Sequence, residues 1–240
     1  MIKIEGVKKK VVHTRLRKIM LLRASGKKAV IFDLDGTLIN SIPFHFGEHK
    51  EIFKRLGVNL ELEFFEKKCN GTKPDEFYKT ILLHYTGSLR LYKKAILLKE
   101  KVFAHESYKG IKTFPGVRGL LDKLTDSGYV LALASSSGEK YIAKNLANNK
   151  LKKYFHVIVG SSHIKYTKPN PFIFNLAQKE LGIPKESCVI VEDSINGVIA
   201  ARRAHIDCIC LLTSEKRKDV PKFAVIAKSH KKIYDIIKKM

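Results

Sequence analysis

Two carboxylates, Asp33 and Asp35, stand two residues apart at the end of the apolar run 29–32, and Gly36 and Thr37 follow them. A continuous apolar run of this kind reads as a strand covered on both faces of a parallel sheet. Asp-Gly then marks a turn, because glycine adopts backbone angles that other residues resist. The strand delivers both acids to its C-terminal end, where open α/β sheets bind ligands. Residues i and i+2 leave a strand on one side, so both carboxylates face one site if the extended geometry persists through Asp35. Two such charges repel, and a cation relieves the cost. A solvated Asp-Gly turn after an ordinary core strand accounts for the same residues, so the rest of the chain must decide.

Two further apolar runs end in polar groups. The run 129–134 leads into Ser135, Ser136, Ser137 and Gly138, and the run 187–191 leads into Glu192 and Asp193. Lys168 and Pro169 lie in the loop before another helical stretch. The C-terminal ends of parallel strands share one edge, so these groups should converge. Carboxylates from separate segments, with no His or thiolate cluster, make a hard-oxygen site suited to Mg²⁺. A lysine beside a serine-rich strand-to-helix loop makes an anion site that favours phosphate. Metal, phosphate pocket and spare carboxylates together indicate phosphoryl transfer. Taken singly, each group has a plainer reading: Lys168 as a surface lysine before a proline, the serines as a helix cap, and Glu192 and Asp193 as acids answering a helix dipole. The joint spacing favours the site.

The elements that must position these residues alternate between strand and helix. Helices are expected over Val117–Asp126, Glu139–Asn148, Phe172–Leu181 and Ile195–Ala204, and strands over 129–134, 156–160, 187–191 and 208–212. A short apolar run, 223–227, and a helix capped by Ser229 close the chain. This alternation predicts a parallel, helix-covered sheet with right-handed crossovers. Residues 43–110 instead read as helical throughout, with Phe44, Phe46, His49, Phe53 and Leu56 at helical spacing and further helices over 61–68, 75–85 and 89–108. The expected organisation is a basic extension (1–27), an α/β core (28–42 and 111–240) and an inserted helical domain (43–110).

The chain resembles the haloacid dehalogenase superfamily of hydrolases, in its β-phosphoglucomutase-like phosphatase branch. The motifs Asp33-Leu34-Asp35-Gly36-Thr37, Ser135, Lys168-Pro169 and Glu192-Asp193 occur in the family's order, and the likeness covers about 28–213. The resemblance implies a Rossmann-like parallel-sheet core with an inserted all-helical C1-type cap. It implies Asp33 as the nucleophile that forms an aspartyl phosphate, and Asp35 as acid for the leaving alcohol and then base for water. Mg²⁺ would be held by Asp33, the Asp35 carbonyl and Asp193, with Glu192 nearby or ligating. Ser135, the Ser136 amide and Lys168 would bind the phosphoryl oxygens, and Thr37 would support the loop. Dehalogenases of the family lack the second acid, so Asp35 points away from dehalogenation. Substrate choice would sit in the cap, where His45 and Lys73 are the positions to watch; a packing histidine and a solvated lysine are the plainer readings. The implied activity is hydrolysis of a small phosphomonoester, such as a sugar phosphate. A phosphomutase is the alternative, disfavoured because Gly47, Glu48 and His49 follow His45 where an aromatic is expected.

Composition bounds the remaining classes. The chain has 240 residues, with 46 Lys and Arg against 23 Asp and Glu, a formal net charge of +23. Such a charge steers acidic ligands, nucleic acid or anionic membrane, although a lysine-rich surface is the plainer account. A protein that binds RNA or an acidic partner through residues 1–27 is therefore the alternative of a different class. Aromatic residues are not interleaved with the basic ones as a stacking platform requires. No apolar run reaches the about 18 residues of a transmembrane helix. The apolar stretch 19–22 is too short for a signal-peptide core. Cys69, Cys188, Cys208 and Cys210 show no disulfide framework, and a cytoplasmic setting is the expectation.

Overall fold

A computed structural model of the chain describes residues 26–68, 74–103, 108, 110–163 and 165–240. Its contacts divide into two compact units. One comprises the described residues up to Ile39 together with Lys112–Met240, and the other is Asn40–Ile111.

In the first unit the strands, in chain order, are Ala29–Phe32 (β1), Ile39–Asn40 (β2, where the chain leaves the unit), Lys112–Thr113 (β3, where it returns), Val130–Ala134 (β4), Val157–Val159 (β5), Cys188–Glu192 (β6), Asp207–Leu211 (β7) and Val225–Ala227 (β8). Six of them form a parallel sheet in the order β5-β4-β1-β6-β7-β8. β1 is central. Ile31 registers with Ala132 on one side and with Ile190 on the other. From β1 the chain builds outward to β4 and β5, then crosses to β6 and builds outward the other way. The order reverses at β1, which is the position where such sheets place ligands.

The helices over Val117–Asp126, Glu139–Asn148, Phe172–Leu181 and Ile195–Ala204 fall where sequence periodicity puts them. Their apolar stripes cover the sheet, and Phe32, Leu133, Phe174 and Ile190 are fully buried. Burying each such side chain is worth about 1.5–3 kcal/mol. Ser229 does precede the last helix, His230–Lys238, but its side chain makes no cap hydrogen bond, contrary to the expected cap. Lys27 also departs from expectation. The sequence sets it outside the core, yet it is buried, and its ammonium donates to the Glu186 carbonyl (2.8 Å) and pairs with Asp207 (2.5 Å). An ammonium with two oxygen partners can be buried at tolerable cost.

Among its described residues the second unit holds four helices, Ile42–Lys54, Leu62–Lys68, Pro74–Thr86 and Tyr92–Phe103. The last was expected over 89–108. It is described over Tyr92–Phe103, and Tyr108, with φ of 49°, lies in the left-handed region and is not helical. The unit has its own core, including Ile52, Phe53, Phe77, Tyr78 and Ile81. His49 packs against that core: its ring lies 4.4 Å from the Phe77 ring, and its Nδ1 is 3.1 Å from the Tyr78 hydroxyl. Burial, helped by His45 and Lys99, holds this imidazole neutral, with its pKa lowered to about 3.

Candidate active site

β1 ends at Phe32, one residue before the first acid. The Asp33 amide still donates to the Val191 carbonyl at 3.0 Å, which fixes the residue to the sheet edge. The chain then bends. The Leu38 and Ile39 amides both return to the Leu34 carbonyl, at 2.8 and 3.0 Å, and the Gly36 amide reaches the Ile39 carbonyl at 2.9 Å. Gly36 has φ of 78°, and a Cβ there would sit 2.1 Å from an Asp193 oxygen, so only glycine fits this turn. The extended geometry therefore does not persist through Asp35, and the two acids take different partners.

Asp33 is buried and paired with the Lys168 ammonium. Lys168 also contacts Glu192 Oε1 (2.5 Å) and lies 4.9 Å from the centre of the Phe174 ring. Burial works against the lysine charge. The attraction of Asp33 and Glu192 outweighs it and raises the pKa above the ordinary lysine value. Glu192, at the end of β6, is 1% exposed. Its Oε2 accepts from the Asp193 amide (2.9 Å), the Ser194 amide (3.0 Å) and the Ser194 hydroxyl (3.0 Å). Ser194 in turn caps the helix Ile195–Ala204, accepting from the Gly197 amide at 3.0 Å. Asp193 is buried and accepts from Thr37 Oγ1 at 2.9 Å and from the Ser214 hydroxyl.

Three buried carboxylates thus face one ammonium. The imbalance is visible in their protonation. Burial pushes Asp33 well above the carboxylate range; Lys168 opposes this, while Glu192, Asp193 and Asp35 add to it. Burial and Glu192 raise Asp193 to about 7, against the pull of Ser214, Thr37 and Lys168. Among the described residues no three His, Cys, Asp or Glu side chains form a ready-made metal cage. Magnesium asks for less: one or two carboxylates, with water and substrate oxygens completing the shell. Asp33 and Asp193, oxygen donors short of positive charge, fit such an ion.

Asp35 is only partly buried. Its Oδ2 accepts from Ser137 Oγ at 2.7 Å and its Oδ1 from the Tyr141 hydroxyl at 2.6 Å. Ser135 is buried, its amide donates to the Val159 carbonyl (3.0 Å), and its hydroxyl accepts from the Ser137 amide (3.1 Å). Ser136 is exposed at the loop tip. The serines do not cap the following helix, whose N-cap is Gly138, without a side-chain bond.

The structure therefore gathers Asp33, Asp35, Ser135, Lys168, Glu192 and Asp193 along one edge of the sheet, with Ser136 in the same loop. His45 lies in the second unit, where its Nδ1 meets Glu48 at 3.2 Å. Lys73 lies outside the described residues. Sequence reasoning gave Ser137 no role beyond membership of the serine run, and it missed Tyr141, Ser214 and His230. Buried His230 donates through Nε2 to the Thr37 carbonyl at 2.6 Å and so braces the turn. Only Ser137 carried a signal, through its place in the serine run. The others are ordinary residues brought in by long-range folding.

The model of the haloacid dehalogenase-like hydrolase family matches residues 30–211. The chain belongs to this family. It is 32% identical over 184 residues to the phosphorylated carbohydrates phosphatase of Thermotoga maritima, a span of 76% of this chain and 83% of that protein. It is 26% identical over 215 residues to hexitol phosphatase B of Escherichia coli strain K12, covering 82% of this chain and 88% of the relative. Among solved structures, a hydrolase from Pseudomonas syringae superposes with a TM-score of 0.71 at 26% identity, covering 89% and 99% of the two chains. In this haloacid dehalogenase-like hydrolase the matched segment carries Asp33, Asp35, Lys168, Glu192 and Asp193. No helix among the described residues is long and apolar enough to cross a membrane.

Proposed function

We propose that the protein is a Mg²⁺-dependent phosphatase of small phosphomonoesters, of the sugar-phosphate class, acting through an aspartyl phosphate on Asp33. The observation that carries this reading is the contrast between the surroundings of the two acids. Asp33 is buried against Lys168 beside Asp193, and Asp35 is held separately by two hydroxyls. Two carboxylates in contrasting environments can take different roles.

Asp33 attacks phosphorus, and the bond to the leaving oxygen breaks as Asp35 gives that oxygen its proton. Asp35, now a carboxylate, takes a proton from water, which attacks phosphorus and frees Asp33. Lys168 works against the burial that raises Asp33, favouring the ionised nucleophile, and meets the phosphoryl oxygens with Ser135 and the Ser136 amide. Asp33, the Asp35 carbonyl and Asp193 would hold the metal, which supplies positive charge where the transferring group is most anionic. Glu192, occupied by Lys168 and three donors of its own turn, orients the lysine. The named substrates of the relatives support a phosphorylated carbohydrate. His45 and Lys73 are the proposed selectivity positions, on the sequence resemblance alone.

The test is a panel of phosphomonoesters with Mg²⁺, run on the wild type and on Asp33→Asn. Turnover of at least one sugar phosphate is expected, falling by more than about 10³-fold in the variant. Undiminished turnover in Asp33→Asn refutes the nucleophile and the mechanism built on it.

A further inference from the structure

The segment that follows β4 does more than offer a serine-rich loop. Ser137 and Tyr141, four residues apart, each donate to a different oxygen of Asp35, at 2.7 and 2.6 Å. Both donors are anchored. The Ser137 amide donates to Ser135 Oγ at 3.1 Å, and the Ser137 carbonyl accepts from the Ser161 amide at 3.0 Å. Tyr141 lies in the first turn of the helix Glu139–Asn148, and its carbonyl accepts from Asn145 Nδ2 at 3.1 Å.

Asp35 is partly exposed, so water could satisfy it, and folding alone does not call for two short bonds to it. What they supply is direction. A carboxylate offers about four lone-pair sites. Ser137 and Tyr141 occupy one on each oxygen, which stops rotation of the group. One site on each oxygen stays open, for a proton and for the oxygen that will receive it.

We propose that Tyr141, seconded by Ser137, is a positioning residue that aims the Asp35 carboxyl at the leaving oxygen of the substrate. This rests on the phosphatase reading above. The reaction gains no new step. The proton still passes from Asp35 to the leaving oxygen as the phosphorus–oxygen bond breaks, and Tyr141 keeps its own.

The leaving group provides the test. An alkyl alcohol leaves poorly without a proton, whereas p-nitrophenolate leaves without one. A mis-aimed acid therefore slows only the first. Wild type, Tyr141→Phe, Ser137→Ala and Asp35→Asn are compared in kcat/KM, with Mg²⁺, for the best sugar phosphate and for p-nitrophenyl phosphate. Positioned acid catalysis contributes about 10²–10⁴-fold, and Tyr141→Phe is expected to lose about tenfold of it on the sugar phosphate and less than about twofold on p-nitrophenyl phosphate. Ser137→Ala is expected to show the same selectivity, and it carries the test if Tyr141→Phe melts early. An equal loss on both substrates, or none on either, overturns the assignment of Tyr141. Wild-type turnover of the sugar phosphate by Asp35→Asn instead overturns the acid role of Asp35, and the absence of any sugar-phosphate turnover by the wild type overturns the phosphatase reading itself, so the failures are distinct.

Discussion

Gly197→Ala separates local from tertiary reasoning, because the two give opposite signs. Gly197 lies inside the helix Ile195–Ala204, where alanine is favoured over glycine by about 1 kcal/mol. A Cβ at that position, however, would lie 1.9 Å from Glu192 Cδ and 2.0 and 2.3 Å from its two oxygens. Glu192 is 1% exposed and cannot swing out to solvent, so the carboxylate must shift among its partners. Overpacking costs about 2 kcal/mol, and losing one hydrogen bond to the buried charge costs about 2 more. Set against the gain in helix propensity, the net destabilisation is about 3 kcal/mol. For a chain of this size that lowers Tm by roughly 6–12 °C. Calorimetric melting of the variant measures it directly. The same substitution in a Glu192→Ala background removes the clash, and there the helix gain should reappear as unchanged or higher Tm. A single variant that melts at or above wild type refutes the close approach, as does an undiminished penalty in the double variant.

Two further predictions concern the charges. Lys168→Met leaves three buried carboxylates without their ammonium, which should cost about 3–5 kcal/mol and lower kcat/KM by more than about 10²-fold. Melting and kinetics both within error of wild type would contradict the pairing. The raised carboxylates also predict a pH dependence. Asp193, lifted to about 7 by burial, binds a proton more readily folded than unfolded, so its contribution to stability declines as pH rises from about 4 through about 7. In chelator, Tm should fall between pH 5.5 and pH 8, and less steeply in Asp193→Asn. Added Mg²⁺ should raise Tm more at pH 8 than at pH 5.5, and equal shifts at both values would count against Asp193 as a ligand.

The legible part of the chain lay in local pattern. Apolar runs that break into Asp, Ser or Glu-Asp identified β1, β4 and β6, and period and glycine stops bounded four core helices to the residue, because strand and helix periodicities are properties of consecutive residues. The order of motifs then identified the family and six of the groups at the sheet edge. What the sequence could not decide was partnership. The i, i+2 rule put Asp33 and Asp35 on one face, but the returns of Leu38 and Ile39 to the Leu34 carbonyl end the strand early and send the acids to different partners. Tyr141, Ser214 and His230 lie 106, 21 and 193 residues from the groups they hold, and nothing in their own neighbourhoods marks them. Lys27 looks like one more lysine in a basic extension until Asp207, 180 residues away, gives its buried ammonium a carboxylate partner. Residue types and spacing determined which chemistry the chain can attempt. Long-range packing alone decided which oxygen each hydroxyl holds and how many charges each buried acid must share.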